Sequence, residues 1–266
     1  MNKRCFLRLW LLVVPLQWAF GQTNIDSTRI VRVLSYNIYH GETVGLDKQF
    51  DLDELARIIN DEKPDLVALQ EVDFKTNRVL KKDLVTELGL RTKMQAIFGK
   101  AMSFDGGEYG EGVLSDYSFL STKNHTLVVR EGNEPRAALE VNVIIKSNDT
   151  IKFIGTHLDH TNIETDRIDQ AKQINDLFAI DEVPTILAGD LNALPGSETM
   201  HVFYKYWKQS FLENVPTYPA QEPRDKIDYI LFKPANRWRV LETKVIDEKL
   251  ASDHRAILSV LELLKK

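Results

Sequence analysis

The order of apolar and polar positions divides the chain into short strands and a few amphipathic helices. Residues 29–38 (RIVRVLSYNI) are rich in β-branched side chains in rough alternation, which predicts a strand. Residues 51–61 (DLDELARIIND) carry leucine and isoleucine at helical spacing, and Pro64 follows that helix. A strand followed by an amphipathic helix therefore opens the folded part of the chain.

The remaining apolar runs predict many strands and three more helices. The further strands are 65–70, 92–104, 112–120, 126–130, 137–145, 151–156, 184–189, 227–232, 239–245 and 256–261. The further helices are 81–88, 163–180 and 198–207. Strands outnumber helices and do not alternate strictly with them, which favours an α/β sandwich of two mixed sheets over a doubly wound parallel sheet. Because no Pro/Gly/Ser-rich linker interrupts the pattern, we expect one domain.

The first 21 residues have the composition of a cleavable signal peptide. Basic residues precede a short apolar stretch, and Ala19 and Gly21 are small residues at a suitable distance for cleavage. A membrane anchor is the alternative, but Pro15 interrupts an apolar run that is shorter than the ~20 residues needed to span a bilayer. We therefore expect a mature domain over 22–266 without a transmembrane segment, secreted or periplasmic.

Charge and cysteine content narrow the possible chemistry. The chain has a formal net charge of −5, and loss of three basic residues with the signal would make it −8. An acidic chain has no general attraction to polyanions, so nucleic acid is a possible but unfavoured partner. The only cysteine is Cys5, inside the expected signal, which excludes disulfides and thiolate chemistry from the mature chain.

Polar residues follow apolar strands at several separate places. They are Asn37, Glu71, His157, His160, Asp190, Asn192, Asp228, Asp253 and His254. Each alone could be a turn former, a cap or a solvated charge. Together they match phosphate ester hydrolysis, which needs oxygen ligands for Mg²⁺ or Mn²⁺, a carboxylate to activate water, and donors for the phosphoryl oxygens. A zinc site is the weaker alternative, because the chain has no HExxH motif and the mature chain no cysteine.

Six motifs in this order identify a family resemblance. They are SYNI, LQEV, THLDH, GDLNA, IDYIL and SDHRAI, spread over nearly the whole mature chain. In this order they resemble the endonuclease/exonuclease/phosphatase superfamily, which includes DNase I and bacterial sphingomyelinases. The resemblance implies a four-layer α/β sandwich, DNase I-like, with two packed mixed β-sheets flanked by helices and the site at one end of the sheets.

The resemblance also implies a role for each matched residue. Glu71 would bind the metal with help from Asn37 and Asp253. Asp190 would orient or activate the attacking water, and Asn192 would contact the phosphate.

On the phosphate side, the resemblance implies that His254 binds the scissile group, with Asp228 orienting its imidazole. His157 occupies the place of a phosphate-contacting side chain, while His160 lies where the family varies. Two arginines are further candidates for substrate binding: Arg136 in EPRAAL, and Arg167 at the start of the helix after THLDH.

The function expected from these features is metal-dependent hydrolysis of a phosphodiester or phosphomonoester by attack of water. A nuclease or a sphingomyelinase-like phospholipid hydrolase is the alternative within the same chemistry. A catalytically silent binding protein on the same fold is the alternative of a different class, although every expected polar position is filled.

Overall fold

The computed structural model describes residues 26–45, 49–211 and 213–265. The expected signal peptide lies outside the described residues. Among the helices that are described, none is both long and apolar enough to cross a membrane.

Twelve strands and four α-helices form the described chain. The strands are β1 Ile30–Asn37, β2 Leu66–Phe74, β3 Gln95–Phe104, β4 Gly107–Ser115, β5 Phe119–Thr126, β6 Ala137–Ile144, β7 Thr150–His157, β8 Thr185–Asp190, β9 Lys208–Gln209, β10 Asp228–Lys233, β11 Trp238–Val245 and β12 Ile257–Leu263. The helices are α1 Leu52–Glu62, α2 Leu84–Thr92, α3 Thr165–Phe178 and α4 Glu198–Tyr204.

The strands form two six-stranded mixed sheets. The first sheet has the order β11-β12-β1-β2-β4-β3, and the second has the order β5-β6-β7-β8-β10-β9. In each sheet the two central strands are parallel, β1 with β2 and β7 with β8. Their outer neighbours run antiparallel, so β12 starts at the end at which β1 finishes, and β10 starts where β8 finishes.

Three apolar clusters hold four layers together. One lies between the sheets and includes Val33, Ala68 and Phe153. A second packs α1 and α2 on the first sheet, and a third packs α3 and α4 on the second sheet. Because strand side chains alternate between faces, each central strand supplies both the inner cluster and an outer one. The expected four-layer sandwich is thereby confirmed.

Several elements differ from the sequence-based expectations. The strand expected at 112–120 is divided, because β4 ends at Ser115 and β5 begins at Phe119. The helix expected at 81–88 begins after Asp83, whose side chain accepts a hydrogen bond from the Thr86 amide, and continues past Gly89 to Thr92. Gly89 packs rather than terminates the helix, since a Cβ there would lie 2.7 Å from the Ala96 Cβ. Residues 127–130 form no strand, because β5 ends at Thr126 and the chain then turns towards β6.

Candidate active site

A polar cavity of about 420 Å³ lies at the end of the sandwich where the central strands finish. The predicted site residues that line it are Glu71, Arg136, His157, His160, Asp190, Asn192, Asp253 and His254. Asn37 and Asp228 lie directly behind and hydrogen-bond to lining residues. The fold therefore gathers side chains from both sheets at one place.

Asn37 links the two sheets at the cavity floor. It is the last residue of β1, and its Nδ2 donates to Glu71 Oε1 at 3.1 Å and to Asp190 Oδ2 at 3.2 Å. Glu71 lies in an irregularity of β2, between Leu69 and Val72, with a left-handed φ of 57°. This local break in the ladder turns the Glu71 carboxylate into the cavity.

Asp190 ends β8 and is buried. Its Oδ1 accepts a hydrogen bond from the Asn192 amide at 2.9 Å. Its Oδ2 lies 3.5 Å from His157 Nε2 and 3.6 Å from His254 Nε2. Burial raises the pKa of Asp190 to about 7, with Asp228 adding to this rise and His254 opposing it. A carboxylate with such a pKa suits general base catalysis near neutral pH.

Asp228 holds His254 in place from behind. It begins β10 directly opposite Asp190, and its Oδ2 lies 3.0 Å from His254 Nδ1. Thr217 Oγ1 donates to the same oxygen at 2.5 Å. Burial alone would lower the pKa of His254, but Asp228 and Asp190 outweigh it and raise this pKa to about 10. His254 is therefore an imidazolium at neutral pH, with Nε2–H facing the cavity.

His157 has the opposite protonation state. Burial and the charge of Arg136 hold its pKa well below 6.5, so the ring is neutral. Arg136 Nη1 lies 3.3 Å from His157 Nδ1, and a guanidinium can only donate. His157 Nδ1 can therefore accept from Arg136, while Nε2 lies 3.0 Å from Asn192 Nδ2 and 3.5 Å from Asp190 Oδ2.

Arg136 forms one wall of the cavity. Its Nη2 donates to Glu134 Oε2 at 3.0 Å and lies 3.1 Å from Nδ1 of His160, whose side chain is exposed. Burial by itself would lower the pKa of Arg136, and the neighbouring Glu134 and Tyr109 outweigh it and raise the pKa. The structure thus brings Arg136 and His160 to the site as the sequence predicts.

Arg167 is not brought to the site. It lies at the start of α3, and its Nη1 donates to the main-chain oxygen of Asp159 at 3.0 Å and to that of Thr161. It is not among the residues that line the cavity. The expected substrate-binding role is therefore wrong: Arg167 supports the loop that follows β7.

Several lining or neighbouring residues were missed by the sequence reasoning. Tyr218 packs its ring 4.8 Å from the His254 ring, and Glu134 and Tyr109 line the cavity. His40 Nδ1 lies 3.8 Å from Glu71 Oε2. For His40 the signal was its position three residues after Asn37; the others lie in loops or on β4, where no local pattern distinguishes them.

One cluster of side chains in the site has the spacing to hold a cation. Asp190, Asp228 and His254 each present one ligand atom, all within 4.8 Å of one another. Glu71 and Asp253 line the same cavity. Burial raises the pKa of Asp253 to about 6, and Glu71 adds to this rise, while His254 opposes it. A divalent cation between such carboxylates would relieve their mutual repulsion.

Comparisons with known proteins agree with this architecture. The model of the Endonuclease/Exonuclease/phosphatase family matches residues 34–254. An endonuclease/exonuclease/phosphatase from Beutenbergia cavernae DSM 12333 is 21% identical with a TM-score of 0.73, covering 88% of this chain and 72% of that one. A protein of the same description from Bacteroides vulgatus is 21% identical with a TM-score of 0.72, covering 88% and 99%.

A third solved structure is described by its reaction. It is a mannosyl-6-phosphatase from Bacteroides thetaiotaomicron VPI-5482, 17% identical with a TM-score of 0.70, covering 88% of this chain and all of that one. No curated protein sequence matches the chain. The family model spans five of the six motifs in full and SDHRAI as far as His254, and on that basis the chain belongs to the endonuclease/exonuclease/phosphatase family.

Proposed function

We propose that the protein is a divalent-metal-dependent phosphoesterase that hydrolyses its substrate by attack of water. The observation that carries this proposal is the pairing of Asp190 and His254 in one cavity. Their facing atoms are 3.6 Å apart, and their environments move their pKa values in directions suited to a base and a charged donor. When the environments of two neighbouring titratable groups move their pKa values apart, one group can act as the base and the other as the proton donor.

Glu71, Asn37 and Asp253 would hold the cation, Mg²⁺ or Mn²⁺. Glu71 and Asp253 supply carboxylate oxygens, which these hard cations prefer. The cluster of Asp190, Asp228 and His254 fits less well, because His254 is protonated on both ring nitrogens and has no lone pair to donate. When bound, the cation would neutralise phosphate charge and stabilise the leaving oxygen.

The protein's own residues would carry the proton and orient the phosphate. Asp190 takes a proton from water as the water oxygen bonds to phosphorus and the ester P–O bond breaks. His254 donates its Nε2–H to a phosphoryl oxygen, and Asp228 fixes the ring that does so. His157 and Asn192 lie on the other side of Asp190 and also line the cavity.

A small phosphoester is the substrate class that this site supports best. The cavity is lined by four acidic residues and no lysine, which does not favour a nucleic-acid backbone. Both tryptophans of the mature chain, Trp207 and Trp238, are buried, so neither is available to contact a lipid surface. The description of one structural neighbour as a mannosyl-6-phosphatase supports a phosphorylated small molecule, and a nuclease or sphingomyelinase-like enzyme is the second candidate.

Export is part of the same proposal. It rests on the composition of residues 1–21, and it would give the enzyme access to phosphoesters outside the cytoplasm. Edman sequencing of the exported protein would test it, with Gln22 as the expected first residue.

A phosphoester panel tests the function. DNA, RNA, sphingomyelin, phosphoinositides, small diesters and sugar phosphates would each be assayed with Mg²⁺, with Mn²⁺ and with a chelator. We expect metal-dependent release from small esters, and a loss of ~10²–10⁴ in kcat for Asp190→Ala. A silent binding protein would hydrolyse none of them, and comparable turnover by Asp190→Ala would remove the proposed base.

A further inference from the structure

His40 faces the proposed metal-binding carboxylate with an unsatisfied ring nitrogen. Its Nδ1 lies 3.8 Å from Glu71 Oε2, too far for a hydrogen bond. That nitrogen is buried and has no hydrogen-bond partner among the described residues. A buried polar atom without a partner needs an explanation, because the hydrogen bond it loses from water is not replaced.

The other ring nitrogen of His40 faces a second carboxylate. Nε2 lies 3.5 Å from Glu42 Oε2. With Glu42 accepting from Nε2–H, the Nδ1 lone pair would be available to a cation shared with the Glu71 carboxylate.

The backbone around His40 adopts conformations that are costly for ordinary residues. Tyr39, His40 and Gly41 have φ values of 46°, 44° and 83°, and Glu71 has a φ of 57°. Non-glycine residues adopt this region only at a cost in backbone strain, and such strain clusters at functional sites. Both residues of the facing pair therefore lie on backbone whose strain the surrounding structure must offset.

We propose that His40 supplies Nδ1 as a nitrogen ligand to the divalent cation held by Glu71, with Glu42 orienting the imidazole. The arrangement is the carboxylate–histidine–metal chain by which proteins fix a ligating imidazole. It rests on the proposed function, and it adds a preference: a nitrogen ligand favours Mn²⁺ over Mg²⁺, which demands oxygen ligands. His40 thus makes this site more selective for Mn²⁺ than an all-oxygen site would be.

The test measures metal binding by the full mature protein, independently of turnover. Mn²⁺ binding is followed by electron paramagnetic resonance, and bound Mn²⁺ is examined for ¹⁴N coupling by electron spin echo modulation. We expect ¹⁴N coupling in the wild type. His40→Ala should lose it and weaken Mn²⁺ binding by ~10–100-fold, with a smaller loss for Mg²⁺ measured by calorimetry; Glu42→Gln should weaken Mn²⁺ binding by ~10-fold.

His40→Asn provides the matched variant. Asparagine tolerates a left-handed backbone and places an amide oxygen near the position of Nδ1. We expect it to fold with the wild-type melting temperature, to lose the ¹⁴N coupling, and to bind Mg²⁺ better than His40→Ala does. It separates loss of the nitrogen ligand from loss of the fold.

The outcomes separate this inference from the proposed function. If His40→Ala keeps both the ¹⁴N coupling and the Mn²⁺ affinity while Glu71→Ala abolishes binding, the histidine is not a ligand and the metal centre stands. If the wild type binds no Mn²⁺, or Glu71→Ala binds it unchanged, the proposed metal centre fails and the role of His40 fails with it.

Discussion

At the scale of single residues, the side chains behind the cavity matter as much as those that line it. Asp228 lines no part of the cavity, yet it orients His254 and raises its pKa. Arg136 acts on His157 in the opposite direction and keeps it neutral. The two histidines on either side of Asp190 therefore differ in protonation, because Asp228 and Asp190 raise the pKa of His254 whereas burial and Arg136 lower that of His157.

Asp228→Asn should move the alkaline limb of the pH–rate profile to lower pH. The pKa of His254 is raised from 6.5 to about 10, with Asp228 the largest raising cause, so removal of that charge moves the pKa back towards 6.5. The pair stabilises the fold fully below pH 6.5 and ceases to do so as pH rises through about 10, so the variant should lose most stability at acidic pH. Rates and urea midpoints across pH measure both effects. The exposed Glu222→Gln is the control, and an unshifted limb in Asp228→Asn would contradict this account.

Arg167→Ala should weaken the fold without changing substrate binding. Its hydrogen bonds go to main-chain oxygens of the loop after β7, so we expect a loss of about 1–3 kcal/mol in the free energy of unfolding. Arg136→Ala, by contrast, should raise KM, because Arg136 lines the cavity. An increase in KM for Arg167→Ala at unchanged stability would instead indicate that Arg167 binds substrate.

At the scale of elements, the close contact of β7 and β8 sets the position of Asp190. Gly189 precedes Asp190, and a Cβ on Gly189 would lie 1.8 Å from the Thr156 oxygen. Gly155 lies on β7 next to Thr156, but its added Cβ would meet Val113, Ala68 and the Gly112 oxygen at 3.4, 3.5 and 3.7 Å, which is ordinary contact. The pairing of β7 with β8 therefore requires glycine at position 189 but not at position 155.

Gly189→Ala should destabilise the protein and slow catalysis, while Gly155→Ala should do neither strongly. The added methyl group at Gly189 forces β8 away from β7, which costs about 1–3 kcal/mol or more and displaces the Asp190 carboxylate. Urea unfolding and kcat measured on both variants check this. Equal midpoints for the two alanine variants would show that the strands accommodate the methyl group.

At the scale of the whole molecule, the apolar cluster between the sheets fixes one end of each sheet against the other. The site is formed by residues of both sheets. Asn37 from the first sheet and Asp190 from the second meet because β1 and β8 finish at the same end of the sandwich. The resulting cavity concentrates acidic side chains, whose mutual repulsion a bound cation would relieve.

Mg²⁺ or Mn²⁺ should therefore raise the melting temperature of the whole protein. A ligand at 100 times its Kd adds about 2.7 kcal/mol, or about 5–10 °C for a protein of this size. A chelator should reverse the rise, and Glu71→Ala should show none. Stabilisation of Glu71→Ala by the same amount would place the cation elsewhere.

Much of this protein could be predicted from its sequence, and the remainder could not for definite reasons. The strand and helix pattern came from side-chain periodicity, which depends only on local geometry, and the ordered motifs identified the family and its sandwich. Helix α2 was misplaced because Gly89 reads as a terminator until its packing against Ala96 is known.

The sequence alone determined which side chains follow apolar strands, because a period of two along a strand fixes the face that each residue occupies. Only the tertiary structure decided which of them meet. Asn37 and Asp190 touch across 153 positions of sequence, Arg167 turns to its own loop, and His40 faces Glu71 through a left-handed backbone. Such contacts depend on how the two sheets pack and on where strand pairing is irregular. Neither feature can be predicted from the local sequence pattern.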